Sequence, residues 1–110
     1  MGSVLFSAIR LAGLDLRNRI VVAPMCQYSA AQGSATDWHL AHVVSLSQTG
    51  AALVVIEGTD TDPRGAFTKN CLALHTDEHE KALHRVVDAC HGYGMASIGN
   101  HVRTWMGNPQ

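Results

Sequence analysis

Aromatic residues are scarce in this chain, with two tryptophans, two tyrosines and two phenylalanines among 110 residues. A core with so few rings must be closed by aliphatic side chains, and a stacking platform for nucleic acid has little to be made from. Charge is also sparse, 15% of residues, and nearly balanced at −1. That balance argues against a basic nucleic-acid footprint and against a disordered polyelectrolyte. The three cysteines, Cys26, Cys71 and Cys90, are an odd number without the spacing of a disulfide framework. Reduced thiols, and with them a cytoplasmic location, are the expectation. No apolar run approaches the length of a membrane span, and no charged segment precedes a long apolar stretch at the start. Neither a membrane segment nor a signal peptide is expected. Internal repeats and low-complexity segments are absent too.

What is there is aliphatic and periodic, with 46% of residues apolar. The length suits a single domain over residues 1–110. Ala8 to Leu16 reads as a small hairpin turning at Ala12-Gly13. Arg19 to Met25 is a continuous apolar run broken by Pro24, as in a strand buried on both faces. Thr36 is placed as an N-cap, with Leu40, Val43, Val44 and Ser47 following at helical spacing and Gly50 at the end. A second apolar strand ends in Glu57, Gly58 and Thr59. A loop from Asp60 to Leu74 carries Pro63 and Gly65. Asp77 with Glu80 suggests a capping box, and Leu83, Val86, Val87 and Cys90 form the stripe of a second helix that stops at Gly92 and Gly94. A third strand starts at Met95.

Strands alternating with amphipathic helices predict an α/β fold, with parallel strands at about 20–25, 52–57 and 95–99. In such folds ligands bind beyond the carboxyl ends of the strands. The candidate site therefore comprises Pro24-Met25-Cys26-Gln27-Tyr28, Glu57-Gly58-Thr59 and the residues after Ile98. Taken singly, each residue has a plain alternative. Cys26 reads as a small buried hydrophobe or a redox-tuning thiol, Met25 as core filler, and Tyr28 as a surface phenol or a pocket residue. Gly58 suits a tight bend or a close backbone approach. Glu57, at the end of an apolar strand, reads as a paired structural carboxylate rather than a base. His39 with His42, and His75 with His79, invite a metal, but neither pair has the HExxH pattern or a third ligand at recognisable spacing. No metal is expected.

Taken together, the motifs resemble a known family. "LFSAIRLAGLDLRNRIVVAPMCQYS" is similar to the start of Old Yellow Enzyme-type flavin oxidoreductases, with their hairpin, "L(K/R)NRIV" and "(P/A)PM". "TDWHLAHVVSLSQTGAALVVIEGTDTDPRGAFT" resembles their next unit. The "PMCQY" form resembles the subgroup with cysteine at that place, and the likeness runs from about Leu5 to Ile98. The resemblance implies the N-terminal portion of a (β/α)8 barrel that holds FMN at its C-terminal face. It also implies hydride transfer from NAD(P)H through flavin N5 to an activated, enone-like alkene. On that basis Ala23, Pro24, Met25, Cys26 and Gly58 bind the cofactor, Cys26 near N5 and O4, and Tyr28 enters the substrate pocket.

Two departures accompany the resemblance. Where the family's third strand runs "IQLxHAGR", this chain has "SIGNHVRTWMGNPQ", so Gly99 stands in place of a flavin-binding glutamine and residues 99–110 diverge. A complete barrel takes about 250 residues, so an N-terminal fragment is expected, with the remainder of the barrel or a homo-oligomer covering its open edges. The activity expected is that of an FMN-dependent ene-reductase; the alternative is a truncated, non-catalytic piece acting at most as an interaction module.

Overall fold

The computed structural model describes residues 3–63 and 68–102, the last three by backbone alone. The hairpin forms as expected from β1 (Ile9–Leu11) and β2 (Leu14–Leu16), antiparallel with Ile9 opposite Leu16. Ala12 and Gly13 take φ of 47° and 86°, and a two-residue turn with both central residues left-handed matches the twist of the flanking strands. Leu16 is buried against Ala52 and Leu53, with Ile9 and Ala96 alongside, so the hairpin covers the starting end of the parallel strands. Asn18 fixes the chain as it leaves the hairpin: its side-chain amide donates to the Gly50 carbonyl at 2.8 Å and its oxygen accepts the Ile20 N–H at 3.0 Å.

After the hairpin come β3 (Val21–Val22), α1 (Asp37–Ser47), β4 (Leu53–Asp60), β5 (Leu72–Ala73), α2 (Asp77–Gly92) and β6 (Ala96–Val102). Strands β3, β5 and β6 all pair with β4 in parallel. β6 follows one side of β4 along its length, while β3 takes the start of the other side and β5 the end. The expected β-α-β-α-β path is present, with three changes. β3 is shorter than the run 20–25 because its ladder stops at Val22 paired with Val54, just ahead of Pro24, which has no N–H to donate. β4 continues past residue 57 to Asp60 and β6 runs to Val102. The loop expected over 60–74 contains β5, and its Gly65 lies outside the described residues.

Both helices lie against the sheet. Val43 of α1 and Val86 and Cys90 of α2 share a buried cluster with Val54, Ile56, Leu72 and Met95. The cap of α2 is Thr76, not Asp77: the Thr76 hydroxyl accepts the His79 N–H at 3.2 Å, and Asp77 occupies the first helical position, where a carboxylate suits the helix dipole. The far end of α2 closes through Gly94 at φ 84°, with Gly94 N–H bonded to His91 O and Met95 N–H to Cys90 O. That pair of bonds is the Schellman arrangement, and it requires the left-handed residue that glycine supplies. Burial pushes the Cys90 thiol above its ordinary pKa, and its Sγ donates to the Met95 carbonyl at 3.1 Å.

Candidate functional site

β3 ends at Val22 opposite Val54, whereas β4 runs on to Asp60, so the chain leaving β3 passes the later part of β4 without pairing to it. Beyond the Val22–Val54 pair the backbone leaves the β4 ladder, and Ala23, Pro24, Met25 and Cys26 are exposed. The Cys26 thiol is therefore not a buried hydrophobe, and Met25, 53% exposed, is not core filler. The loop that follows is held by its own polar groups. Gln27 donates through Nε2 to the Met25 carbonyl at 2.9 Å and accepts from Trp38 Nε1 at 3.0 Å, and Ser29 Oγ donates to the Gln27 carbonyl at 2.9 Å. Tyr28 is 59% exposed on a left-handed backbone of φ 52°, a conformation that costs a non-glycine residue energy. Gly58 is half-buried on β4 opposite Asn100 of β6.

Between Val55 and Gly58 the register of β4 against β6 shifts: Val55 faces Ile98 and Gly58 faces Asn100, so Ile56 and Glu57 together oppose Gly99. Simple alternation would send Ile56 and Glu57 to opposite faces. The extra residue turns the strand, so that Ile56 joins the helix-side core while the Glu57 carboxylate still reaches His39 on α1. Glu57 faces an imidazole: its Oε2 lies 3.5 Å from His39 Nε2, both side chains being about 95% buried. His39 Nδ1 accepts the Thr36 N–H at 3.0 Å, which leaves the ring proton on Nε2, directed at the carboxylate. A cavity of about 30 Å³ between sheet and helices is lined by Met25, His39, His42, Ile56 and Glu57.

Neither histidine pair gathers into a metal centre. His42 stacks on Trp38, while His79 meets His75 edge-on and contacts the Gln32 carbonyl through Nε2 at 2.9 Å. Among the described residues no group of three His, Cys, Asp or Glu side chains could hold a metal ion. A second crevice of about 170 Å³ is bounded by Gln32, Asp60, Lys69, Cys71, His75 and His79. Desolvation raises the Asp60 carboxyl above its usual range, and the His75 imidazole partly offsets it. The capping roles of His39 and His79, whose Nδ1 atoms accept the N–H of Thr36 at 3.0 Å and of His75 at 3.3 Å, had a signal in the sequence, since both helices open with Thr-Asp-x-His, at 36–39 and 76–79. The usual capping box carries Glu or Gln in the last place, which hides the pattern.

Residues 4–100 match the NADH:flavin oxidoreductase / NADH oxidase family. The chain belongs to that family. Membership brings FMN as the family's cofactor and a nicotinamide nucleotide as its reductant. An NADPH dehydrogenase of Listeria monocytogenes is 44% identical over 94 residues, covering 84% of this chain and 28% of that protein. Another, from Geobacillus thermodenitrificans, is 35% identical over 98 residues, 87% of this chain and 29% of its own. The chain thus spans less than a third of the length of these flavin-oxidoreductase relatives. Among solved structures, morphinone reductase in complex with tetrahydroNAD superposes with a TM-score of 0.84 at 22% identity, over 92% of this chain and 27% of that one. Old Yellow Enzyme from a Pichia species gives 0.85 at 23%, over 90% and 26%. The fold is part of a TIM barrel, with β3, β4 and β6 as successive parallel strands.

The residues at the strand ends fit one side of a flavin. Exposed backbone that has left its ladder offers N–H and C=O groups to the polar edge of a flat ring. Gly58 on β4 presents no side chain, and Pro24 restricts the backbone leaving β3.

Proposed function

We propose that the ends of β3 and β4 form one side of an FMN site in an NAD(P)H-dependent oxidoreductase of the ene-reductase type. Ala23, Pro24, Met25 and Cys26 meet the ring from one strand end, and Gly58 meets it from the next. Bound there, FMN supplies hydride transfer between the nicotinamide and a small activated alkene such as an enone. Tyr28, exposed two residues beyond Cys26, serves the substrate pocket. The cysteine supports a reading of the chain as one of the "PMCQY" subgroup, and a cytoplasmic location suits its thiols. No helix among the described residues is long and apolar enough to cross a membrane. The carrying observation is the exposed, unladdered Ala23–Cys26 backbone at the carboxyl edge of a parallel sheet, in a chain of a flavin-oxidoreductase family.

The role of Cys26 is to tune the flavin rather than to attack substrate. A weak S–H donor near the ring changes the relative stability of its oxidised and reduced forms, and no histidine adjoins Cys26 in the motif to generate a thiolate. In the FMN-loaded protein, Cys26→Ala is expected to move the flavin midpoint potential while hydride transfer persists. Complete loss of turnover at an unchanged potential would contradict the assignment. A colourless product that acts without flavin would favour the non-catalytic interaction module instead.

A further inference from the structure

The flavin assignment gives no task to the most deeply buried ionisable pair near the site. His39 and Glu57 are 3% and 6% exposed, and their 3.5 Å separation exceeds an ordinary N–H···O hydrogen bond. His39 Nε2 is a buried polar atom with no hydrogen-bond partner. Its counterpart in α2 behaves differently: His79, from the same Thr-Asp-x-His opening, satisfies its Nε2 on the Gln32 carbonyl at 2.9 Å. Capping alone therefore does not account for what faces His39. The bulge at Ile56–Glu57 is the second, independent feature, because it is what turns the carboxylate toward α1.

A series of contacts, with the long His39–Glu57 approach as its one loose link, joins the loop after Cys26 to the Gly58 end of β4. Thr36 Oγ1 donates to the Ser29 carbonyl at 3.1 Å, in the loop that follows Cys26. Thr36 N–H donates to His39 Nδ1, His39 Nε2 faces Glu57, and Glu57 adjoins Gly58. We propose that His39 and Glu57 are positioning residues that set the spacing between the β3 and β4 ends. The proposal rests on the flavin assignment for its purpose, while the coupling between the strand ends stands in the chain without flavin. Neither residue touches the reacting atoms.

The test is amide and imidazole NMR on the full 110-residue chain, as wild type and as Glu57→Ala, Glu57→Gln and His79→Gln. Long-range imidazole spectra are expected to place the His39 proton on Nε2. Glu57→Ala should shift the amides of Thr36 and of residues 26–29 as well as Gly58, and speed exchange at Thr36 about tenfold. Glu57→Gln, which keeps an acceptor oxygen, should restore most of this and carries the test by its smaller shifts if the alanine variant does not fold. His79→Gln should leave those amides unchanged. A His39 proton on Nδ1, shifts confined to β4, or an equal response to His79→Gln would overturn the coupling. Titrating the same samples with FMN separates the two claims. Wild type that shows strand-end coupling but no flavin contact at residues 23–26 contradicts the flavin assignment alone. Flavin contact without coupling contradicts the positioning role alone.

Discussion

Asp60 shows how one buried carboxylate becomes visible in solution. It is 3% exposed, and desolvation raises its pKa above the reference 3.8 despite His75 nearby. The folded chain then holds that proton more tightly than the unfolded chain does. Its contribution to stability falls as pH rises from about the unfolded value through the raised folded one. Asp60→Asn removes this contribution, so the variant's advantage over wild type in urea unfolding should grow with pH across that window; a constant difference would contradict it. Gly33 is a steric case. At φ 87° an added Cβ would stand 2.6 Å from His79 Nε2 and 2.7 Å from Ala73 Cβ. Gly33→Ala is expected to cost about 2–4 kcal/mol in urea unfolding, from left-handed strain plus overpacking. A loss below about 1 kcal/mol would show that the β5–α2 corner can shift to make room. Neither residue was legible beforehand: "QGSA" reads as an ordinary polar loop, and nothing local tells that a helix cap from the other end of the chain will press on its glycine.

At the scale of elements, most of the order could be read from period and punctuation. Ala12-Gly13 marked the hairpin, Thr36 the start of α1, Gly94 the end of α2, and the apolar runs the parallel strands. What escaped were features decided by partners distant in sequence. β5 is two residues long and exists because Thr59 and Asp60 of β4 pair with it. The bulge appears only in the register of β4 against β6, and the exposure of Cys26 goes with where the β3 ladder stops. The cap of α2 was off by one residue because Asp77-x-x-Glu80 and Thr76-x-x-His79 compete, and the hydroxyl won the backbone N–H. Thr76→Ala should therefore destabilise the chain by about 1 kcal/mol, and Asp77→Ala by less, about 0.3–1 kcal/mol, as a dipole effect that shrinks in high salt. Thermal unfolding at two salt concentrations distinguishes them; the reverse order would return the cap to Asp77.

For the whole molecule, the parallel sheet with its hairpin-covered base is part of a TIM barrel in a flavin-oxidoreductase family, aligned with less than a third of its relatives' length. In barrels of this kind the phosphate is gripped beyond the later strands, so on the proposed assignment the strand ends described here would contact the ring rather than the phosphate. Weak binding with a defined footprint, and no NADPH oxidation, is what such a surface should give alone. The most direct measurement is an FMN titration of the 110-residue chain followed residue by residue through its backbone amides. The account predicts a saturable, low-affinity response centred on Ala23, Met25, Cys26 and Gly58, unaffected at the β1–β2 hairpin. A response centred on the crevice around Asp60 and His75, or none at the strand ends at saturating flavin, would contradict it.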